Sequence, residues 1–177
     1  SRGLGDVYKR QLYTKGRTLY GLHQTKTEIR RLGYAVMVEG YFDFAQALQA
    51  GVTPVVATCG TAVTDQQTRL LKRFTSKVIL SCDPDVAGQG ASARSGELLV
   101  SGGFNVNVAN LADGADTDTC VRRHGSAHYV EQLRNSTPYL EYVIARAAAR
   151  RDFSRDEQRR AFLTEMLSVA TVSYTHL

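Results

Sequence analysis

Three groups of carboxylates have the residue types and spacing to do chemistry. Glu39 opens the acidic part of Val38–Asp43 (VEGYFD), with Asp43 four residues on. Asp83 and Asp85 lie in Cys82–Gly88 (CDPDVAG), and Asp113, Asp116 and Asp118 in Leu111–Asp118 (LADGADTD). Carboxylates gathered in one place repel one another and lose hydration, so their ionised forms need a compensating cation. Mg²⁺ suits such a set because it prefers hard oxygen ligands and bridges to substrate phosphates; Mn²⁺ is the alternative. Two such ions can stabilise the attacking and leaving oxygens of a phosphoryl transfer. Each group alone is ordinary, since Asp-x-Asp is commonly a helix cap or solvated turn and Glu-Gly a turn. The bland reading of the whole set is acidic caps on unrelated loops, so what matters is whether the fold brings them together.

The elements that would do so can be read from the pattern. Tyr34–Val38, Pro54–Ala57, Lys77–Cys82 and Phe104–Ala109 are short apolar runs, and helix-like segments separate them. Strands of this length alternating with helices imply βαβ units and a parallel sheet. Thr64 with Gln67 makes a capping box ahead of an apolar stripe of Leu70, Leu71 and Phe74. The Ala-, Ser- and Gly-rich segment after Asp85 should pack closely or form a weak helix that ends at Gly102-Gly103. From Thr137 onward the pattern is helical only, with Ser154 and Glu157 as a further capping box. All three acidic groups follow strand runs directly, and ligands of open parallel sheets collect beyond the carboxyl ends of the strands.

Composition narrows the class. The chain has 177 residues, 43% hydrophobic and 22% charged, a globular balance. No apolar run is long enough to span a membrane, and no secretory signal pattern opens the chain. Cys59, Cys82 and Cys120 are far apart with no C-x-x-C pairing, which argues against a disulfide scaffold or a zinc site and fits a reducing, cytoplasmic setting. The formal charge of +5 suggests a polyanionic partner, but the two ends qualify it. Written with the codons GATGTGTATAAGAGACAG, Asp6–Gln11 has a reverse complement that encodes Val172–His176. One adapter read from opposite strands therefore accounts for both ends, and residues 1–11 and 172–177 are expected to be adapter-derived. Without them the charge falls to +3, because Arg2, Lys9, Arg10 and Asp6 leave the sum.

The motifs, taken in order, resemble bacterial DnaG-type DNA primase and its Toprim domain. A strand ending in Glu-Gly followed by a strand ending in Asp-x-Asp is the Toprim pattern. KGRTLYGL (Lys15–Leu22), VEGYFD, the Gly51–Ala62 stretch, LLKRFT (Leu70–Thr75), DPDVAGQGA (Asp83–Ala91), the acidic loop and the CVRRHG ending at Gly125 narrow it to primases. The resemblance implies an α/β Toprim fold, an open and mainly parallel sheet flanked by helices, followed by a partial all-helical subdomain. The implied layout is residues 12–33 as the end of a basic subdomain, 34–136 as Toprim and 137–171 as part of the helical subdomain. It implies a DNA-directed RNA polymerase that makes short primers on single-stranded DNA from ribonucleoside triphosphates during replication. A replicative helicase would be contacted through a C-terminal domain absent from this sequence. Glu39, Asp83 and Asp85 would be catalytic and hold Mg²⁺, with Asp116 and Asp118 helping to bind metal and nucleotide phosphates and Asp43 and Asp113 as further acidic candidates. Two departures occur: Pro84 and Val86 stand where glycine and a basic residue are usual, and Thr117 where proline is usual. Proline removes a backbone donor at position 84, while the spacing of the carboxylates is kept.

Other residues carry weaker expectations. Lys15 and Arg17 would contact nucleotide or template phosphates, or else lie on a solvated loop. Lys72 and Arg73 read as a wet helix face, and Arg122, Arg123 and His124 as a basic cluster near the acidic loop. Tyr41 and Phe42 are expected in the core, although an aromatic beside the site could stack a base. Cys59 and Cys82 read as small buried hydrophobes. The alternatives are a Toprim nuclease and a non-catalytic Toprim DNA-binding module. An isolated segment of this size is expected to bind Mg²⁺ weakly and to make little or no RNA.

Overall fold

The computed structural model describes residues 14–59, 62–81, 91–111 and 116–174. A 3-10 turn at Lys15–Arg17 leads into α1 (Leu22–Leu32), then β1 (Ala35–Val38), α2 (Tyr41–Gln49), β2 (Val55–Ala57), α3 (Asp65–Lys72) and β3 (Lys77–Leu80). The chain continues through α4 (Ala91–Ser101), β4 (Asn105–Val108), α5 (Thr117–Arg134), β5 (Thr137–Pro138), α6 (Tyr139–Ala149) and α7 (Asp156–Tyr174). Each apolar run singled out above forms one of the first four strands.

The strands form one sheet in the order β2-β1-β3-β4-β5. The first four are parallel, with Val36 opposite both Val55 and Ile79, and Val78 opposite Val106. Only β5 runs antiparallel, pairing Thr137 with Val108. The turn to a helix-only pattern at Thr137 thus falls on a sheet strand, and Tyr139, the first residue of α6, is buried in the sheet's own core.

Burial explains why β1 and β2 lack the alternation that β4 shows in sequence and β3 and β4 show in burial. All four residues of β1 are buried. Ala35 and Met37 face a cluster that includes Leu22 and Ile29 of α1, Leu71 of α3 and Leu99 of α4. Val36 and Val38 face the opposite cluster, with Phe44 and Ala47 of α2 and Tyr129 and Leu133 of α5. Helices cover both faces of this central strand, so both sets of its side chains must be apolar. Each fully buried Val or Leu contributes about 1.5–3 kcal/mol.

Helix ends follow their local chemistry. Thr64 accepts the Gln67 N–H at 3.2 Å while Gln67 Oε1 accepts the Thr64 N–H at 3.0 Å, which is the capping box expected at α3. The second expected box, at Ser154 and Glu157, does not form. There α7 starts at Asp156, the Ser154 N–H donates to Asp152 Oδ1 at 3.0 Å, and Gln158 Oε1 accepts the Asp152 N–H at 2.6 Å. An aspartate two residues earlier competes for the same turn. Close packing of the small-residue helix α4 is real: a Cβ at Gly96 would lie 2.1 Å from Tyr139 Cε2. Lys72 is not simply a wet residue, since its ammonium lies 4.5 Å from the centre of the Phe104 ring and donates to the Gly103 carbonyl.

Candidate active site

The strand order places a reversal of direction at β1, which has β2 on one side and β3 on the other. In open parallel sheets ligands collect at the carboxyl edge where the strand order reverses, which here is the junction of β1 and β3. Glu39 follows β1 directly at that edge and is exposed. Its carbonyl accepts the Cys59 N–H at 2.8 Å, which ties the end of β2 to the end of β1. Cys59 has φ 59° and is buried, with burial pushing its thiol pKa up against the Tyr41 hydrogen bond and the Lys15 charge. Asp83, Asp85 and Asp113 lie outside the described residues, as does Cys82.

Asp43 joins two of the acidic groups. Its Oδ2 accepts the Gly40 N–H at 2.9 Å, so the carboxylate reaches back over the first turn of α2. Its Oδ1 accepts the Asp118 N–H at 3.1 Å, 75 residues away. Asp43 is 8% exposed. Burial raises its pKa above the ordinary carboxylate value and the negative charges of Asp116 and Asp118 raise it further, while the two N–H bonds work in the opposite direction. Asp116 caps α5, accepting the Thr119 N–H at 2.7 Å. Asp118 accepts from Arg122 Nε at 2.9 Å, which accounts for one member of the basic cluster near this loop.

A second set of bonds was not foreseen from the sequence. Ser81, the residue after β3, has its hydroxyl 2.9 Å from Thr117 Oγ1 and 3.0 Å from the Tyr129 hydroxyl. All three residues are buried. Burial pushes Tyr129 up to about 12, although the Ser81 and Thr117 hydroxyls partly counter it. Through this network the end of β3 is fixed to the first residue of α5, and Thr117 uses a hydroxyl that proline would lack. Adjacency to Cys82–Asp85 was the only available signal for Ser81.

The cationic turn sits at the same edge. Tyr20 and Ala57 exchange backbone hydrogen bonds at 2.9 and 3.1 Å, which docks the segment carrying Lys15 and Arg17 onto the end of β2. Lys15 and Arg17 are exposed, and Lys15 is close enough to Cys59 to influence its thiol. The expectation that Tyr41 and Phe42 pack in the core is wrong: they are 45% and 78% exposed. They occupy the first turn of α2, whose inward positions are taken by Asp43 and Phe44, so they face outward. Tyr41 instead meets the Tyr20 ring edge-on at 4.7 Å.

Among the described residues, Glu39, Asp43, Asp116 and Asp118 are brought to one sheet edge, while no group of three or more His, Cys, Asp or Glu is close enough to hold a metal by itself. A divalent cation fits the chemistry of this donor set. The charges of Asp116 and Asp118 reach Asp43 and help raise its pKa, and hard oxygens are the only ligands that these carboxylates offer. No described helix is long and apolar enough to cross a membrane.

Known proteins share this arrangement. Residues 36–121 match a family model described as Toprim-like. A DNA primase of Clostridium acetobutylicum is 38% identical over 138 residues, covering 77% of this chain and 23% of that protein. The crystal structure of the Aquifex aeolicus primase, comprising zinc-binding and RNA polymerase domains, superposes with a TM-score of 0.72 at 31% identity, over 93% of this chain and 42% of the other. A DnaG primase catalytic domain bound to single-stranded DNA gives 0.76 at 29% identity, over 90% and 53% respectively. The chain therefore spans about a quarter of the length of the curated primase it matches. The strand order, the ordered motifs and these likenesses together place the chain in the Toprim family, as a segment of the bacterial DnaG-type DNA primases.

Proposed function

We propose that this segment is the nucleotidyl-transfer centre of a DNA primase, which joins ribonucleotides on a single-stranded DNA template. The observation that carries the proposal is the bridge made by Asp43, which holds the Glu39–Gly40 turn and the Asp116–Asp118 cap together at the sheet's switch point. Glu39, Asp83 and Asp85 are the proposed catalytic set, with Asp116 and Asp118 completing the metal and phosphate ligands. Asp43 acts mainly as the strut between them, and Asp113 belongs to the same loop. A bound divalent cation, Mg²⁺ or Mn²⁺, would supply charge neutralisation for the triphosphate and for the departing pyrophosphate. The chain's own part is to fix the geometry: the Asp43 bridge holds the carboxylates that follow β1 beside those at the start of α5, so that part of the set need not reorganise. Lys15 and Arg17, at the same edge, suit the phosphates of the nucleotide or the template.

Further partners follow from the primase reading: ribonucleoside triphosphates as substrates, and a replicative helicase bound elsewhere in a longer chain. A cytoplasmic setting belongs to the same reading. Titration of Mg²⁺ and then ATP into the chain, beside an Asp83→Asn/Asp85→Asn variant, tests the metal assignment. Binding should weaken by about 10- to 100-fold in the variant. Identical binding would favour a module that holds DNA without catalysis.

A further inference from the structure

We propose that Gln67 is a positioning residue for the cationic turn Lys15–Arg17, acting on bound nucleotide through Lys15. The inference rests on the proposed function, in which that turn meets phosphate. A capping box uses only the side-chain oxygen of its third residue, and glutamate serves as well as glutamine there. In this molecule the rest of the amide is also engaged. Gln67 Nε2 donates to the Lys15 carbonyl and to the Thr18 carbonyl, both at 2.9 Å. Its Oε1 takes the Thr64 N–H at 3.0 Å. Both amide protons and the oxygen are therefore used, and the side chain is fully buried.

Thr64 adds a third tie, its hydroxyl donating to the Gly16 carbonyl at 2.5 Å. Carbonyls of Lys15, Gly16 and Thr18 are thus all held by two residues at the start of α3. The turn has no apolar anchor of its own, since none of Lys15–Arg17 is buried. Its placement beside Cys59, whose N–H bonds to the Glu39 carbonyl, depends on these ties and on the Tyr20–Ala57 bridge. Among the described residues Lys15 and Arg17 have no carboxylate partner, so their charges stay available to an anion. A glutamine, not a glutamate, is required because only the amide can donate to two carbonyls.

The test is an NMR titration of the chain with Mg²⁺ alone and then with ATP and Mg²⁺. The variants are Gln67→Glu, Gln67→Leu, Thr64→Val, Lys15→Ala and the pair Lys15→Ala/Gln67→Leu. Gln67→Glu keeps the cap acceptor and loses the donors, so it separates capping from positioning. Gln67→Glu and Gln67→Leu should each weaken ATP binding by about tenfold, as loss of a supporting hydrogen bond does at other sites. Their Mg²⁺ binding without nucleotide should be unchanged, and Gln67→Leu should add nothing once Lys15→Ala is present. Where a Gln67 variant does not fold, Thr64→Val gives the reading, with a smaller loss of the same pattern. Wild-type ATP binding in the folded Gln67→Glu or Thr64→Val chain, equal weakening of Mg²⁺ alone, or losses that add to Lys15→Ala would overturn the inference. If the unaltered chain fails to bind ATP, or Lys15→Ala binds it normally, the assignment of the cationic turn itself fails, which is a distinct result.

Discussion

Asp43 and Ser81 do the joining at the scale of single residues, and both act across long stretches of sequence. The Ser81 hydroxyl is shared between Thr117 and Tyr129. Replacing Ser81 with Ala should lower stability by about 1–3 kcal/mol, because the buried Thr117 and Tyr129 hydroxyls both lose the group that bonds them. Urea unfolding measures this, and a loss below about 0.5 kcal/mol would mean that Ser81 does not join them. Tyr129 and Tyr139 are both pushed up to about 12 by burial. For a group whose folded pKa is raised by burial of its neutral form, stability is untouched below the unfolded value and declines as pH rises past it. The stability of the chain should therefore fall from about pH 10 upward, and a Tyr129→Phe variant should show a shallower fall. Equal slopes for the two proteins between pH 10 and 12 would contradict the burial account. That Glu39, Asp43, Asp116 and Asp118 lie at one sheet edge was legible, because all four follow apolar runs that became strands. The bonds of Asp43 to Asp118 and of Ser81 to Tyr129 were not, since nothing local encodes a partner 75 or 48 residues away.

Elements were the most legible scale. The four runs became four parallel strands: β1 and β2 because burial on both faces leaves a continuous apolar signature, β4 because its valines alternate toward the core. The fifth strand escaped notice: at two residues, Thr137–Pro138 is too short for any pattern and exists only through its pairing with β4. Tyr41 and Phe42 were misplaced for a different reason. Aromatic character alone does not say which side of a helix's first turn faces the sheet, and Asp43 and Phe44 hold the inward positions. Helix α4 supplies a prediction at this scale. Gly96→Ala would gain helix propensity of up to about 1 kcal/mol. The new methyl group would meet the Tyr139 ring at 2.1 Å, so the net effect should be destabilising by about 1–2 kcal/mol. Pairing it with Tyr139→Leu should recover part of the loss; a thermal melt in which Gly96→Ala alone is stabilised would show that the ring does not pack on this helix.

At the scale of the whole molecule, net charge proved a poor guide. A formal +5 locates no site, whereas Glu39, Asp43, Asp116 and Asp118 at one edge of the sheet mark a candidate one. Function at this scale belongs to a longer chain, because the segment spans 23% of a curated primase and 42% of a solved one. The most direct measurement follows from that. Residues of this chain would replace the matching segment of the Aquifex aeolicus primase, and incorporation of labelled ribonucleotides would be followed on single-stranded DNA with Mg²⁺. The account predicts short RNA products from the chimera, and a loss of about 100-fold or more when Asp83→Asn/Asp85→Asn is introduced. Degradation of the DNA without RNA synthesis, or synthesis undiminished in the double variant, would contradict it.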